Sequence, residues 1–238
     1  MNQSSDQLTL EHLSLGEIEV TGRLVDASNA TLFGTSTLDE KSISIIYKPI
    51  AGERPLWDFP DGNFAHREYA AYLLSALSKW NVVPATVLRD GPFGLGMVQQ
   101  WIEIDESVDL ATFYREDLPQ LRKMALFDAV INNTDRKIGH LLPVVGGNVF
   151  GCDHGVTFHS DDKLRTVLWQ WADKALSDQE FSELIALQEN LLKSEDVFTE
   201  LITEAEFMAL NKRVAKLLTH KRFPTPSEEW PAVPWPPF

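Results

Sequence analysis

The chain has 238 residues, 44% hydrophobic and 24% charged, which suits one ordinary folded domain or two small lobes sharing a cleft. A net charge of −14 opposes nonspecific binding to nucleic acid or anionic lipid, so no nucleic-acid partner is expected. One cysteine excludes an internal disulfide framework and a Cys-based zinc site, and fits a reducing cytoplasm.

Met1-Asn-Gln-Ser-Ser-Asp6 has neither the basic stretch nor the apolar core of a signal peptide, and residues 1–15 read as a flexible, polar N-terminal lead-in. Residues 16–104 form the sheet-rich lobe. Glu17-Ile-Glu-Val20 alternates polar and apolar, a polar turn over 26–31 leads to Leu32–Thr37, and the β-branched run Ser42–Tyr47 stops at Pro49. A loop rich in Pro and Gly, 50–63, precedes a helix over Phe64–Lys79 with Tyr69, Tyr72, Leu73, Ala76 and Leu77 on its expected apolar face. No apolar run reaches bilayer-spanning length, Ala70–Leu77 being among the longest, so no stable membrane insertion is expected. Pro84–Gly91 and Gly94–Ile102 read as a hairpin, and the acidic stretch Glu103–Asp109 marks the change to a helical lobe, residues 105–222.

In that second lobe Ser107–Tyr114 and Asp117–Ile131 read as helices. Ser177-Asp-Gln-Glu180 and Thr203-Glu-Ala-Glu206 are capping boxes that open two more, ending near Lys193 and His220. The tail, 223–238, is too rich in proline for a helix; its aromatics Trp230, Trp235 and Phe238 favour a docked strap.

The informative stretch is 128–155, the end of an apolar helix followed by the polar loop Asn132-Asn-Thr-Asp-Arg-Lys137 and two short strands joined at Gly146-Gly147. The second strand runs into Asp153-His154-Gly155. Two carboxylates, Asp135 and Asp153, thus stand at the mouths of adjacent loops, an arrangement that suits phosphoryl transfer: one orients a hydroxyl while the other holds Mg²⁺. Lys48, ending the third strand, and Glu68, on the first long helix, match the pair that holds nucleotide phosphates in kinases. Each motif alone has a bland reading as a surface lysine, a helix stop or a turn; their joint order favours a kinase-type site.

In Tyr47-Lys48-Pro49, Glu68 with Ala71-Tyr72, Asn133-Thr134-Asp135-Arg136 and Asp153-His154-Gly155 the sequence resembles the phosphatidylinositol 3- and 4-kinase superfamily. The likeness is strongest to type II phosphatidylinositol 4-kinases and HipA-like bacterial relatives, in an actinobacterial branch with an Asp-Arg-Lys-x-Gly-His loop, and it covers roughly residues 16–200. The resemblance implies an α+β, two-lobed kinase-like fold, with an antiparallel N-lobe sheet and a helical C-lobe, binding ATP with Mg²⁺ or Mn²⁺. It gives Lys48 the ATP phosphates, Glu68 the positioning of Lys48, Asp135 the acceptor hydroxyl and Asp153 the metal. Gln99, Gln100, Trp101 and Ile102 become the adenine hinge, and Ser28, Asn29, Ala30 and Thr31 the phosphate loop, although that turn has no glycine. Asp128, Asn133 and Arg136 support the catalytic loop.

One departure bears on activity. His140 stands where the family has a second metal ligand, an Asn; imidazole is softer than an amide oxygen, and Mg²⁺ prefers oxygen. His140 can bind phosphate when charged, ligate Mn²⁺, or leave one metal position empty. The expected activity is an ATP-dependent phosphotransferase acting on a hydroxyl of a protein (itself included) or of a soluble polyol. Alternatives are a phosphoinositide kinase, a nucleotide-binding pseudokinase acting through a partner, a transferase of AMP, or a zinc-dependent hydrolase built on His140, His154, His159 and Asp153.

Overall fold

The computed structural model describes residues 3–24 and 29–238. Strands β1 (Glu17–Arg23), β2 (Leu32–Leu38), β3 (Lys41–Pro49), β4 (Thr86–Gly91) and β5 (Gly94–Gln100) form one antiparallel sheet in the order β1-β2-β3-β5-β4. The β5 strand inserts between β3 and β4, pairing Lys48 with Met97 and Tyr47 with Val98. Placing β3 inside the sheet pairs it on both edges as far as Tyr47, and pairing with β5 alone carries on through Lys48 to Pro49, which aims the end of the strand.

The lead-in expected to be flexible is instead helix α1 (Gln3–Leu15). Its Leu13 is fully buried with Ile45, Tyr47 and Val98, and Ser36 Oγ donates to the His12 carbonyl at 2.6 Å. The helix carries too little apolar patterning to announce itself; one leucine in a small core anchors it.

Helix α2 (Phe64–Leu77) is capped by Asn63, whose side chain accepts from the His66 amide at 2.8 Å. Its buried face differs from the expected one. Arg67, Glu68, Ala71, Leu74 and Ser75 point inward, while Tyr69, Tyr72, Leu73 and Leu77 are only half-buried and Ala76 is exposed. Periodicity misassigned the face because it counts Arg67 and Glu68 as surface residues, whereas here each is buried against a partner. Arg67 Nη1 lies 2.6 Å from Glu206 Oε1 and ties α2 to the helical lobe.

The larger core lies in the helical lobe. It gathers α4 (Pro119–Ile131), α5 (Asp178–Lys193) and α7 (Glu204–His220), with the short helices α3 (Leu110–Phe113) and α6 (Glu195–Thr199) at its edge. Both capping boxes form as the sequence indicates, Ser177 with Glu180 and Thr203 with Glu206. The hairpin β6 (Leu141–Pro143) and β7 (Val149–Gly151) turns through Gly146 and Gly147, which take φ of +98° and +86°, a region open to glycine. The tail docks: the amide of Ile138 donates to Pro237 O at 2.8 Å, while the amide of Thr166 and the indole of Trp169 donate to Ala232 O at 3.1 and 2.8 Å. Among the described residues no helix is long and apolar enough to cross a membrane.

Candidate active site

Between the lobes lies a cleft of about 320 Å³, lined by Lys48, Glu68, Asp135 and Asp153 among others. Lys48 Nζ lies 2.6 Å from Glu68 Oε1 and 2.8 Å from Asp153 Oδ1, so one ammonium bridges a helix of the sheet lobe and a loop of the helical lobe. Burial disfavours its charge, but Asp153 and Glu68 outweigh that and hold it above the ordinary lysine range. The same lysine, against burial, holds the Asp153 carboxyl well below the usual carboxylate range. For Glu68 burial is the larger influence and raises the carboxyl, with Lys48 and the amide of His154 opposing. Asp153 sits at φ 59°, a left-handed conformation uncommon for a residue with a side chain and frequent at functional sites.

Asp135 sits on a loop built from the end of α4. Asn132 closes that helix in the left-handed conformation, and the Asn133 side chain accepts from the Asp135 amide at 3.0 Å. Beneath it Asp128 and Arg136, both fully buried, pair at 2.9 Å; Asp128 also accepts from Asn133 Nδ2 at 3.0 Å and Thr166 Oγ1 at 3.2 Å. Arg136 continues to the other carboxylate's loop, donating to Cys152 O at 3.0 Å and His154 Nε2 at 2.8 Å. A side chain on Gly151 would come within 2.9 Å of that guanidinium, which is why the strand before Asp153 has none there. Burial pushes the Asp135 carboxyl up, opposed by Lys137, whose Nζ lies 3.6 Å from Asp135 Oδ2.

His140 Nε2 stands 3.6 Å from Asp153 Oδ2, the oxygen that Lys48 does not take. Burial drives its pKa down to about 4, with Asp153 opposing, so near neutrality the imidazole is uncharged and keeps a lone pair. A carboxylate and a neutral imidazole fit Mn²⁺ better than Mg²⁺, the remaining ligands coming from phosphate and water. They do not fit a closed zinc site, and the described residues contain no cluster of three or more His, Cys, Asp or Glu able to hold a metal. The histidines of the zinc reading diverge: His154 Nε2 is taken by Arg136, and His159 Nε2 bonds Asp58 O at 2.9 Å. Burial lifts the Cys152 thiol to about 12, which makes it an inert neighbour.

The residues expected on the nucleotide side are less uniformly gathered. Ser28 lies outside the described residues. Asn29 and Ala30 line the cleft, but Asn29 Oδ1 accepts from the Arg54 amide at 2.8 Å and the Ala30 amide donates to Gly52 O at 3.1 Å; Thr31 is buried. At the end of β5, Gln99 turns inward to Thr86 at 2.9 Å, and the amides of Gln100 and Trp101 donate to Ala85 and Ser44. The amide of Ile102 makes no hydrogen bond among the described residues. Sequence reasoning missed Glu53, whose carboxylate accepts from the amides of Phe64 and Ala65 at 2.9 and 2.8 Å, and Arg165, which lines the cleft beside Asp135. Neither lies in a motif, and Glu53 stands 11 residues before the first helical amide it accepts from, too far for a local capping signal.

No family model matches the chain. Protein Rv2133c of Mycobacterium tuberculosis is 41% identical over 266 aligned positions, covering 96% of this chain and 95% of that protein. The chain belongs to the Rv2133c family. Two solved structures match its fold at 16% identity: the Golgi casein kinase, with a TM-score of 0.56 over 92% of this chain and 75% of that one, and the same kinase with Mn/ADP bound, at 0.61 over 92% and 76%. The chain has an α+β, kinase-like fold, an antiparallel sheet lobe on a helical lobe.

Proposed function

We propose that the chain is an ATP- and divalent-metal-dependent phosphotransferase of the atypical kinase type, transferring the γ-phosphoryl group to a hydroxyl of a protein or a soluble polyol in the cytoplasm. The observation that carries this is Lys48, bonded at once to Glu68 and Asp153, with Asp135 lining the same cleft. The lysine, fully charged, gives the phosphates a fixed cation, and Glu68 keeps it in place. Asp135 orients the acceptor hydroxyl and takes its proton as the oxygen bonds to phosphorus. The bond from the γ-phosphorus to the bridging oxygen breaks, and its electron pair leaves with ADP. A Mg²⁺ or Mn²⁺ ion, when bound, neutralises phosphate charge, and Asp153 with neutral His140 would hold it. The Golgi casein kinase structure with Mn/ADP supports that choice.

The motifs around Lys48, Glu68, Asp135 and Asp153 support a relation to phosphatidylinositol 3- and 4-kinases, but a net charge of −14 ranks a phosphoinositide below the other acceptors. A second reading, a nucleotide-binding pseudokinase, is favoured by His140 in a metal-ligand position and by the Ala30 amide already bonded to Gly52. Incubation with ATP labelled at the α- or γ-phosphate, in Mg²⁺ and in Mn²⁺, separates the readings when wild type is run beside Asp135→Ala and Asp153→Ala. Asp153-dependent ADP release or γ-label transfer is expected. Label from the α-phosphate on protein would mean AMP transfer, binding without turnover would favour the pseudokinase, and no ATP binding would sink the kinase reading.

A further inference from the structure

The loop joining β3 to α2, residues 50–63, crosses from the sheet lobe onto the helical lobe and is fastened there. His159 Nδ1 accepts from the Asp161 amide at 2.9 Å, and its Nε2 lies 2.9 Å from Asp58 O and 3.1 Å from Lys163 Nζ. Phe59 packs edge-on against the same ring at 5.2 Å. The Asp58 carboxylate lies 3.6 Å from Lys163 Nζ. That ammonium also lies 5.7 Å from the Trp57 ring of the loop and 4.5 Å from the Trp230 ring of the tail. The loop is therefore a wall of the cleft, which it lines through Arg54, Leu56, Asp58 and Phe59.

Thr134, Asp135 and Arg165 line the same cleft. The backbone amide of Arg165 donates to Asn133 O at 2.9 Å and its Nε to Thr134 O at 2.7 Å, so the guanidinium is held at both ends of its stem beside the catalytic loop. Its two outer nitrogens make no hydrogen bond or ion pair among the described residues. In a chain of net charge −14, a rigidly held cation with free donors inside a walled cleft is a built anion site. The cleft, about 320 Å³, is shared with Lys48, Glu68 and Asp153, so the part of it beside Asp135 and Arg165 suits a compact acceptor. A loop fastened at Asp58 to His159 and Lys163 leaves less room for an extended polypeptide than for a compact acceptor.

We infer that the acceptor is a small soluble hydroxyl compound carrying a carboxylate or phosphate, its anion held by Arg165 while its hydroxyl meets Asp135. This rests on the kinase reading and narrows it, setting a protein acceptor aside.

ADP release by the full chain with ATP and Mn²⁺ or Mg²⁺ would be measured with glycerate, glycerol 3-phosphate and myo-inositol 1-phosphate. Neutral glycerol and myo-inositol, phosphatidylinositol vesicles, and casein complete the panel. The anionic soluble compounds are expected to stimulate release well above their neutral counterparts. Arg165→Gln should raise the acceptor KM about 10- to 100-fold with the KM for ATP unchanged, and Arg165→Lys should restore part of the loss. Trp57 is 84% exposed, so Trp57→Ala folds in any case; loosening the wall should raise the acceptor KM about 2- to 5-fold. Stimulation by casein or vesicles alone, equal stimulation by neutral compounds, or none by any compound in protein that binds ATP would overturn the inference. Failure to bind ATP would instead bring down the kinase reading beneath it.

Discussion

His140 shows how burial sets the chemistry of a single residue. Its side chain, 15% exposed, stays neutral to about pH 4, which leaves the ring nitrogen facing Asp153 available to a metal or a phosphate. The same shift has a cost at low pH. An unfolded histidine takes up its proton near pH 6.5, whereas the folded one resists until about pH 4, so the unfolded state binds more protons between those values. Stability from this residue is therefore full above about pH 6.5 and is lost as the pH falls towards 4. In metal-free protein, wild type should lose up to about 3 kcal/mol relative to His140→Asn between those limits. Urea unfolding of both at several pH values measures this; parallel curves would show that the imidazole is solvated in the fold.

Among the elements, the loop that carries Asp135 depends on a pair below it. Asp128 and Arg136 are both completely buried, and Arg136 links the Asp135 loop to the strand end carrying Asp153. Removing one partner strands a charge, so Arg136→Met or Asp128→Asn should each cost about 3–5 kcal/mol. Removing both should cost clearly less than the sum of the two, and a double-mutant cycle by denaturant unfolding reads the difference. The tail acts at the same level. Removing residues 230–238 deletes the bonds from Ile138, Thr166 and Trp169 to Pro237 and Ala232, and should destabilise the protein by about 2–4 kcal/mol at the usual net value of a hydrogen bond. A melting temperature unchanged by the truncation would mean the strap contributes nothing to the loop it touches.

For the whole molecule the question is what keeps the two lobes in one relation while Lys48 reaches from one to the other. The α2 helix is the link: it carries Glu68 towards the cleft, adds Ala70, Ala71 and Leu74 to the helical-lobe core, and pairs Arg67 with Glu206 of α7. Glu206 in turn caps α7, accepting from the Thr203 amide at 2.9 Å. Arg67→Met should therefore cost about 3–5 kcal/mol, because a buried Glu206 is left without its cation. It should also lower ADP release by loosening Glu68 one residue away. Calorimetry with an activity assay checks both; a loss of activity at unchanged stability would mean that Arg67 acts on the site alone.

Local pattern was enough for the strands, the two capping boxes, the hairpin before Asp153 and the order Lys48, Glu68, Asp135, Asp153, because alternation, caps and turns are set by residues close in the chain. The inward face of α2 was not legible, since Arg67 and Glu68 read as surface residues until their distant partners Glu206 and Lys48 are known. Helix α1 was hidden for a similar reason, with Leu13 finding its place only against β3 and β5. Tertiary structure alone brought Arg165 to Asp135, turned Gln99 inward to Thr86, and fastened the loop at Asp58 to His159 and Lys163. Sequence set which chemical groups the chain owns and in what order; the pairing of buried charges across a hundred residues of separation, which no local signal records, decided which of them meet.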